Sequence, residues 1–108
     1  MSSASLADPA PVFAALGDPT RLSLLRKLAG GASQSIARLS ADTRLTRQAV
    51  TKHLRVLEDA GLVRSRRVGR ESRFAYRPEP VAAARDYLDV VSAQWDSALD
   101  RLRAHVED

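Results

Sequence analysis

The segment that most constrains the fold runs from Leu45 to Val63. Wound as a helix over Thr46–Ala60, it has two unlike sides. Val50, Leu54 and Leu57 fall on one, at spacings of four and three. Gln48, Thr51, Lys52 and Arg55 fall on the other, again at threes and fours, with no acid among them. Thr46 is a hydroxyl cap at the start, and Gly61 suits a left-handed closing residue. One side is built to pack. The other carries the cationic and amide groups that contact phosphates and base edges in a DNA major groove.

The flanking segments predict a mainly α fold with a small β-hairpin. A short helix is expected over Pro11–Leu16, broken by Gly17-Asp18-Pro19. Asp18 is placed to cap the next helix and Pro19 to open it. That helix runs to about Ala29, with Leu22, Leu25 and Leu28 on one face and Leu24 beside them, and Gly30-Gly31 ends it. Ser33 or Ser35 then caps a short helix carrying Ile36, Ala37 and Leu39. A loop over Ala41–Leu45 leads into the amphipathic helix. Two helices joined by a tight connection, the second with a polar outward side, form a helix-turn-helix.

Beyond Gly61 the period changes. Leu62–Val68 and Ser72–Arg77 read as two strands around Gly69-Arg70-Glu71. Six arginines make this hairpin densely cationic: Arg64, Arg66, Arg67, Arg70, Arg73 and Arg77. A basic hairpin directly after such a helix is a wing. Pro78 and Pro80 end it, and a long helix is expected from about Pro80 to Val106. Its apolar stripe (Val81, Ala84, Leu88, Val91, Trp95, Ala98, Leu102, Val106) is long for the small body it could cover. The surplus predicts a second copy as partner, with Val12, Phe13, Leu88, Val91, Trp95 and Leu102 as candidate interface residues.

Composition bounds the remaining choices. At 108 residues there is room for one domain, expected over residues 10–108, after a frayed N-terminus at 1–9. Charge is unevenly distributed. Residues 1–77 carry 14 Lys/Arg against 6 Asp/Glu, a net +8, and residues 78–108 carry 3 against 7, a net −4. A basic body beside an acidic tail points to a polyanion partner for the body alone. The absence of cysteine rules out disulfides, thiolate metal sites and cysteine nucleophiles. No secretory signal or membrane-length apolar run stands out, so a cytoplasmic location without membrane contact is expected. There is no Gly-rich phosphate loop or nucleophile elbow, so neither catalysis nor a cofactor is expected.

Three stretches resemble the arsenic-repressor-type (ArsR-type) family of bacterial winged-helix regulators, in its cysteine-free branch. They are Leu16-Gly17-Asp18-Pro19-Thr20-Arg21-Leu22 with the leucines that follow, Thr51–Val63, and Arg67-Val68-Gly69-Arg70 followed by Phe74-Ala75-Tyr76. The resemblance covers about Phe13 to Tyr76. It implies a winged helix-turn-helix with terminal dimerisation helices, binding to operator DNA, and repression relieved by a signal. Metal-sensing members carry a cysteine pair before the recognition helix, where this chain has Ser35-Ile36-Ala37-Arg38-Leu39-Ser40. On the last helix His105 lies about 140° round from Asp100, so no metal site is expected. An unidentified effector stays open, with no residue marking a pocket for it.

The expected function is therefore sequence-specific binding of double-stranded DNA by a dimeric repressor at an inverted repeat. The rival is a winged-helix module that docks a protein. Gln48, Thr51, Lys52 and Arg55 are the candidate groove residues, with glutamine suited to adenine and arginine to guanine. Arg47 suits phosphate, and Thr46 suits phosphate or its duty as a cap. Arg66, Arg67, Arg70 and Arg73 are the wing candidates, although strand alternation turns some of them to cover the sheet. His53 reads as a residue at the edge of the buried side, a phosphate contact or a titrating switch.

Overall fold

A computed structural model describes residues 8–107. The expectation for the first nine residues lies almost wholly outside them. Five helices and three strands follow in the order α1 (Ala10–Leu16), α2 (Pro19–Ala29), β1 (Gln34–Ser35), α3 (Ile36–Ser40), α4 (Arg47–Asp59), β2 (Val63–Val68), β3 (Glu71–Tyr76) and α5 (Glu79–Glu107).

Local chemistry sets most of these boundaries. Asp18 is extended, and its carboxylate accepts the Arg21 N–H at 3.0 Å while Pro19 begins α2. Ser35 Oγ accepts the Arg38 N–H at 3.1 Å, which selects Ser35 over Ser33 as the cap of α3. Thr46 Oγ1 accepts the Ala49 N–H at 3.0 Å at the head of α4. At the other end of α4 the Gly61 N–H reaches Glu58 O and the Leu62 N–H reaches Leu57 O, both at 2.9 Å. This paired closure requires a left-handed residue at Gly61, whose φ is +80°. It also stacks Leu62 on Leu57, both fully buried.

The sheet is antiparallel in the order β1-β3-β2. The hairpin turn is tighter than expected. Glu71 pairs with Val68, leaving Gly69-Arg70 as a two-residue loop. Gly69 has φ +64° and, among the described residues, no non-glycine residue has positive φ, as a turn with glycine at its first central position requires. The third strand was not expected. Gln34 and Ser35 pair with Phe74 and Arg73, and two residues are too few to show a period of two.

One buried cluster joins all the larger elements: Val12 and Ala15 of α1, Leu24, Leu25 and Leu28 of α2, Leu39 of α3, Val50, Leu54 and Leu57 of α4, Leu62, Val63 and Phe74 of the wing base, and Ala84 of α5. On α2 the expected face is rotated. Leu24 is buried and Leu22 is 36% exposed, because α2 is covered from the side of Leu24, Leu25 and Leu28. Of the 29 residues of α5, Ala84 alone is buried. The helix is roughly 43 Å long at 1.5 Å per residue. The Cα radius of gyration is 18.4 Å, well above the roughly 13 Å of a compact chain this long.

Candidate nucleic-acid interface

Helix α4 sorts its side chains as the period requires. Val50, Leu54 and Leu57 are fully buried, while Gln48, Lys52 and Arg55 are exposed and Thr51 is half-buried. The Thr51 hydroxyl donates to Arg47 O at 2.7 Å, which leaves its lone pairs as acceptors. Thr46 uses a lone pair as the cap, so its hydroxyl proton is available to an outside acceptor. Arg47 is exposed in the first turn.

The register of the hairpin divides the arginines. Directly paired residues share a face of an antiparallel sheet. Arg67 pairs with Ser72 two positions along from Ser65–Phe74, so it lies on the face that Val63 and Phe74 turn toward the core. Arg64, Arg66 and Arg73 lie on the opposite face. Arg67 and Arg70 line a notch of about 350 Å³ together with Arg47, Gln48 and Thr51 of α4, and Glu71, the one acid in its lining, is engaged by Arg73. The head of α4 and the wing tip thus form one cationic concavity. Among the described residues, none of Arg47, Lys52, Arg55, Arg66, Arg67 and Arg70 has a carboxylate partner.

Arg73 is placed differently. Its Nε donates to Ser33 Oγ at 3.1 Å, its Nη2 to Ser33 O at 2.8 Å, and its Nη1 to Glu71 Oε1 at 3.0 Å. It ties β3 to the loop before β1 and is already satisfied within the chain. His53 is also engaged. Its Nδ1 is 3.4 Å from Nη1 of Arg21 and 3.9 Å from Oδ2 of Asp18. This matches its reading as a residue at the edge of the buried side. The Arg21 backbone N–H, aided by the charges of Arg21 and His53, holds the Asp18 carboxyl below its ordinary range. The Lys27 ammonium, 2.7 Å from Asp42, does the same there.

Two supporting residues escaped the sequence reading. Glu58 accepts from both the N–H and the hydroxyl of Ser65, at 3.1 and 2.7 Å, and pins the wing to the end of α4. From sequence it is only an acid near a helix end. Arg21 binds the end of α1, and its signal was the Asp-Pro-Thr-Arg run, whose fourth residue can fold back over the preceding helix.

The expected pairing residues are divided between core and surface. Leu88, Trp95 and Leu102 are 50%, 65% and 57% exposed. Val91 and Phe13 are half-buried, the Phe13 ring lying 6.2 Å from that of Tyr87. Val12 is buried in its own chain's core. Tyr87, Val90 and Leu99 widen the exposed apolar surface beyond the expected stripe. Among the described residues no helix is long and apolar enough to cross a membrane, and no group of three potential ligands is placed to hold a metal.

The comparisons agree with this architecture. Residues 16–66 match a family profile described as a helix-turn-helix domain. The HTH-type transcriptional regulator YuzN of Bacillus subtilis is 41% identical over 76 residues, covering 65% of this chain and 83% of that protein. An ArsR-like transcriptional regulator from Rhodococcus sp. RHA1 superposes with a TM-score of 0.76 at 36% identity, over 94% of this chain and 93% of that one. The homodimeric winged helix-turn-helix DNA-binding domain of a possible ArsR-family regulator from Mycobacterium bovis gives 0.65 at 27% identity, over 86% and 85%. A buried-backed helix capped at Thr46, a cationic wing and these likenesses place the chain in the ArsR-type family of winged helix-turn-helix transcriptional regulators.

Proposed function

We propose that two copies of this chain pair through their terminal helices and bind double-stranded DNA as a repressor. The observation that carries this reading is the excess of unpaired arginine over acid on α4 and the wing tip. Three arginines without acidic partners line one concavity with Gln48 and Thr51, against the single acid Glu71, which pairs with Arg73, and a net cationic surface of this kind attracts a polyanion. In this reading Gln48, Thr51, Lys52 and Arg55 face base edges in the major groove. Thr46, Arg47, Arg67 and Arg70 hold phosphates, and Arg66 reaches the backbone from the far face of the wing. Arg73 braces the sheet.

Pairing is supported by the exposed apolar length of α5 and by the homodimeric relative from Mycobacterium bovis. Two-fold symmetry implies an inverted repeat with half-sites one helical turn, ~34 Å, apart. Occupation of that site blocks transcription, and an effector that loosens the pair relieves it. Such a protein works in the cytoplasm and needs no catalytic chemistry. A mobility-shift assay with the duplex upstream of its own gene tests the reading. A discrete complex that survives excess scrambled duplex is expected. Binding no better than to scrambled DNA favours a protein-docking module instead.

A further inference from the structure

Arg21 sits where three helices meet. Its backbone N–H closes the cap of α2 on Asp18. Its side chain then folds back on α1, where Nε donates to Ala15 O at 2.7 Å and Nη2 to Ala14 O at 3.3 Å. Both carbonyls belong to the last turn of α1; Ala14 O also accepts the Gly17 N–H at 3.2 Å, whereas Ala15 O has no donor four residues on because Pro19 lacks an N–H. The remaining nitrogen, Nη1, lies 3.4 Å from Nδ1 of His53, halfway along α4. One planar guanidinium, carried on the first turn of α2, therefore touches the end of α1 and the middle of α4. A lysine has a single nitrogen and could not reach both the α1 carbonyls and His53 in fixed directions.

The helices it joins have different duties. Helix α1 leans on α5 through Phe13 and Tyr87, and α5 carries the exposed apolar length. Helix α4 carries the cationic side. We infer that Arg21 is a positioning residue that fixes the angle between the pairing helices and the DNA-reading helix. The inference rests on the proposal that paired copies clamp an inverted repeat. Once one arm is bound, the second binds as an intramolecular step, at an effective concentration set by how rigidly the two arms are held. Loosening the angle lowers that concentration and blurs the preference for one spacing. It leaves the contacts made by each arm intact.

The test uses the inverted repeat that the wild-type protein selects from a random duplex pool. Fluorescence-anisotropy titrations compare that repeat, the same repeat with two base pairs inserted at its centre, and a single half-site. Wild type is expected to prefer the native spacing by about tenfold or more. Arg21→Gln is expected to bind the single half-site within about twofold of wild type. On the native repeat it loses about tenfold, and its spacing preference nearly disappears. His53→Ala, which removes only the α4 end of the link, shifts spacing preference in the same direction by less. Equal losses on the single site and the repeat, or an unchanged spacing preference, overturn the inference. If circular dichroism shows that Arg21→Gln does not fold, His53→Ala decides by the same criteria. Failure of the wild type to select any repeat refutes the clamp itself, which separates that outcome from a failure of Arg21.

Discussion

Residues on the outer side of α4 divide by what they can recognise. In the proposed reading the exposed Gln48 and Arg55 offer planar groups suited to base edges, whereas Arg70 at the wing tip offers its charge to phosphate. Gln48→Ala and Arg55→Ala are therefore expected to weaken binding to the preferred site by roughly 1–3 kcal/mol while leaving other duplexes nearly unaffected. Arg70→Ala is expected to weaken all sequences alike. Titrations against single-base variants of the site check both, and an unchanged preference in Gln48→Ala and Arg55→Ala means that α4 reads with another side. Asp18 makes a pH prediction. Its folded value lies below its unfolded 3.8, so its ionisation stabilises the fold at neutral pH. That contribution is complete above about 4 and is lost as pH falls through the depressed value. Asp18→Asn keeps a cap but no titration. Melting temperatures measured between pH 5 and 2 are expected to fall less steeply for that variant.

At the scale of elements, α4 is the keystone, since its buried residues meet α2, α3 and the wing in one cluster. Leu54→Ala opens a cavity at a fully buried position and is expected to cost about 2–5 kcal/mol in chemical denaturation. Thr46→Ala, which removes only a cap, is expected to cost about 1 kcal/mol. Equal costs for the two would contradict the packing described here. What was legible in the sequence follows the same division. The span of α4, its Thr46 cap and its Gly61 closure were readable because period and caps are local. Strand β1 was not, because its existence depends on β3 arriving forty residues later. Leu22 was expected on the packed face with Leu25 and Leu28, and is exposed instead while Leu24 beside them is buried, because period alone does not say from which side a helix will be covered. The wing arginines were found as a group. Only the pairing register shows that Arg67 shares the core-side face while Arg66 and Arg73 take the other. The duty of Arg21 was hidden because its acceptors are backbone carbonyls of another helix.

At the scale of the whole molecule, two surfaces ask for partners. The wing and α4 present charge, and the outer length of α5 presents Trp95, Leu99, Leu102 and Val106 to solvent. If the second surface joins copies, Trp95→Glu is expected to shift sedimentation from dimer to monomer and to weaken repeat binding far more than half-site binding. If the first meets phosphates, eight contacts per dimer give a slope of roughly −7 in log K against log salt. Joint action of the two surfaces is read out by hydroxyl-radical footprinting of the wild-type protein on the duplex upstream of its gene. Two protected tracts centred about one helical turn apart are predicted. A single tract, or uniform cleavage along the duplex, would contradict it.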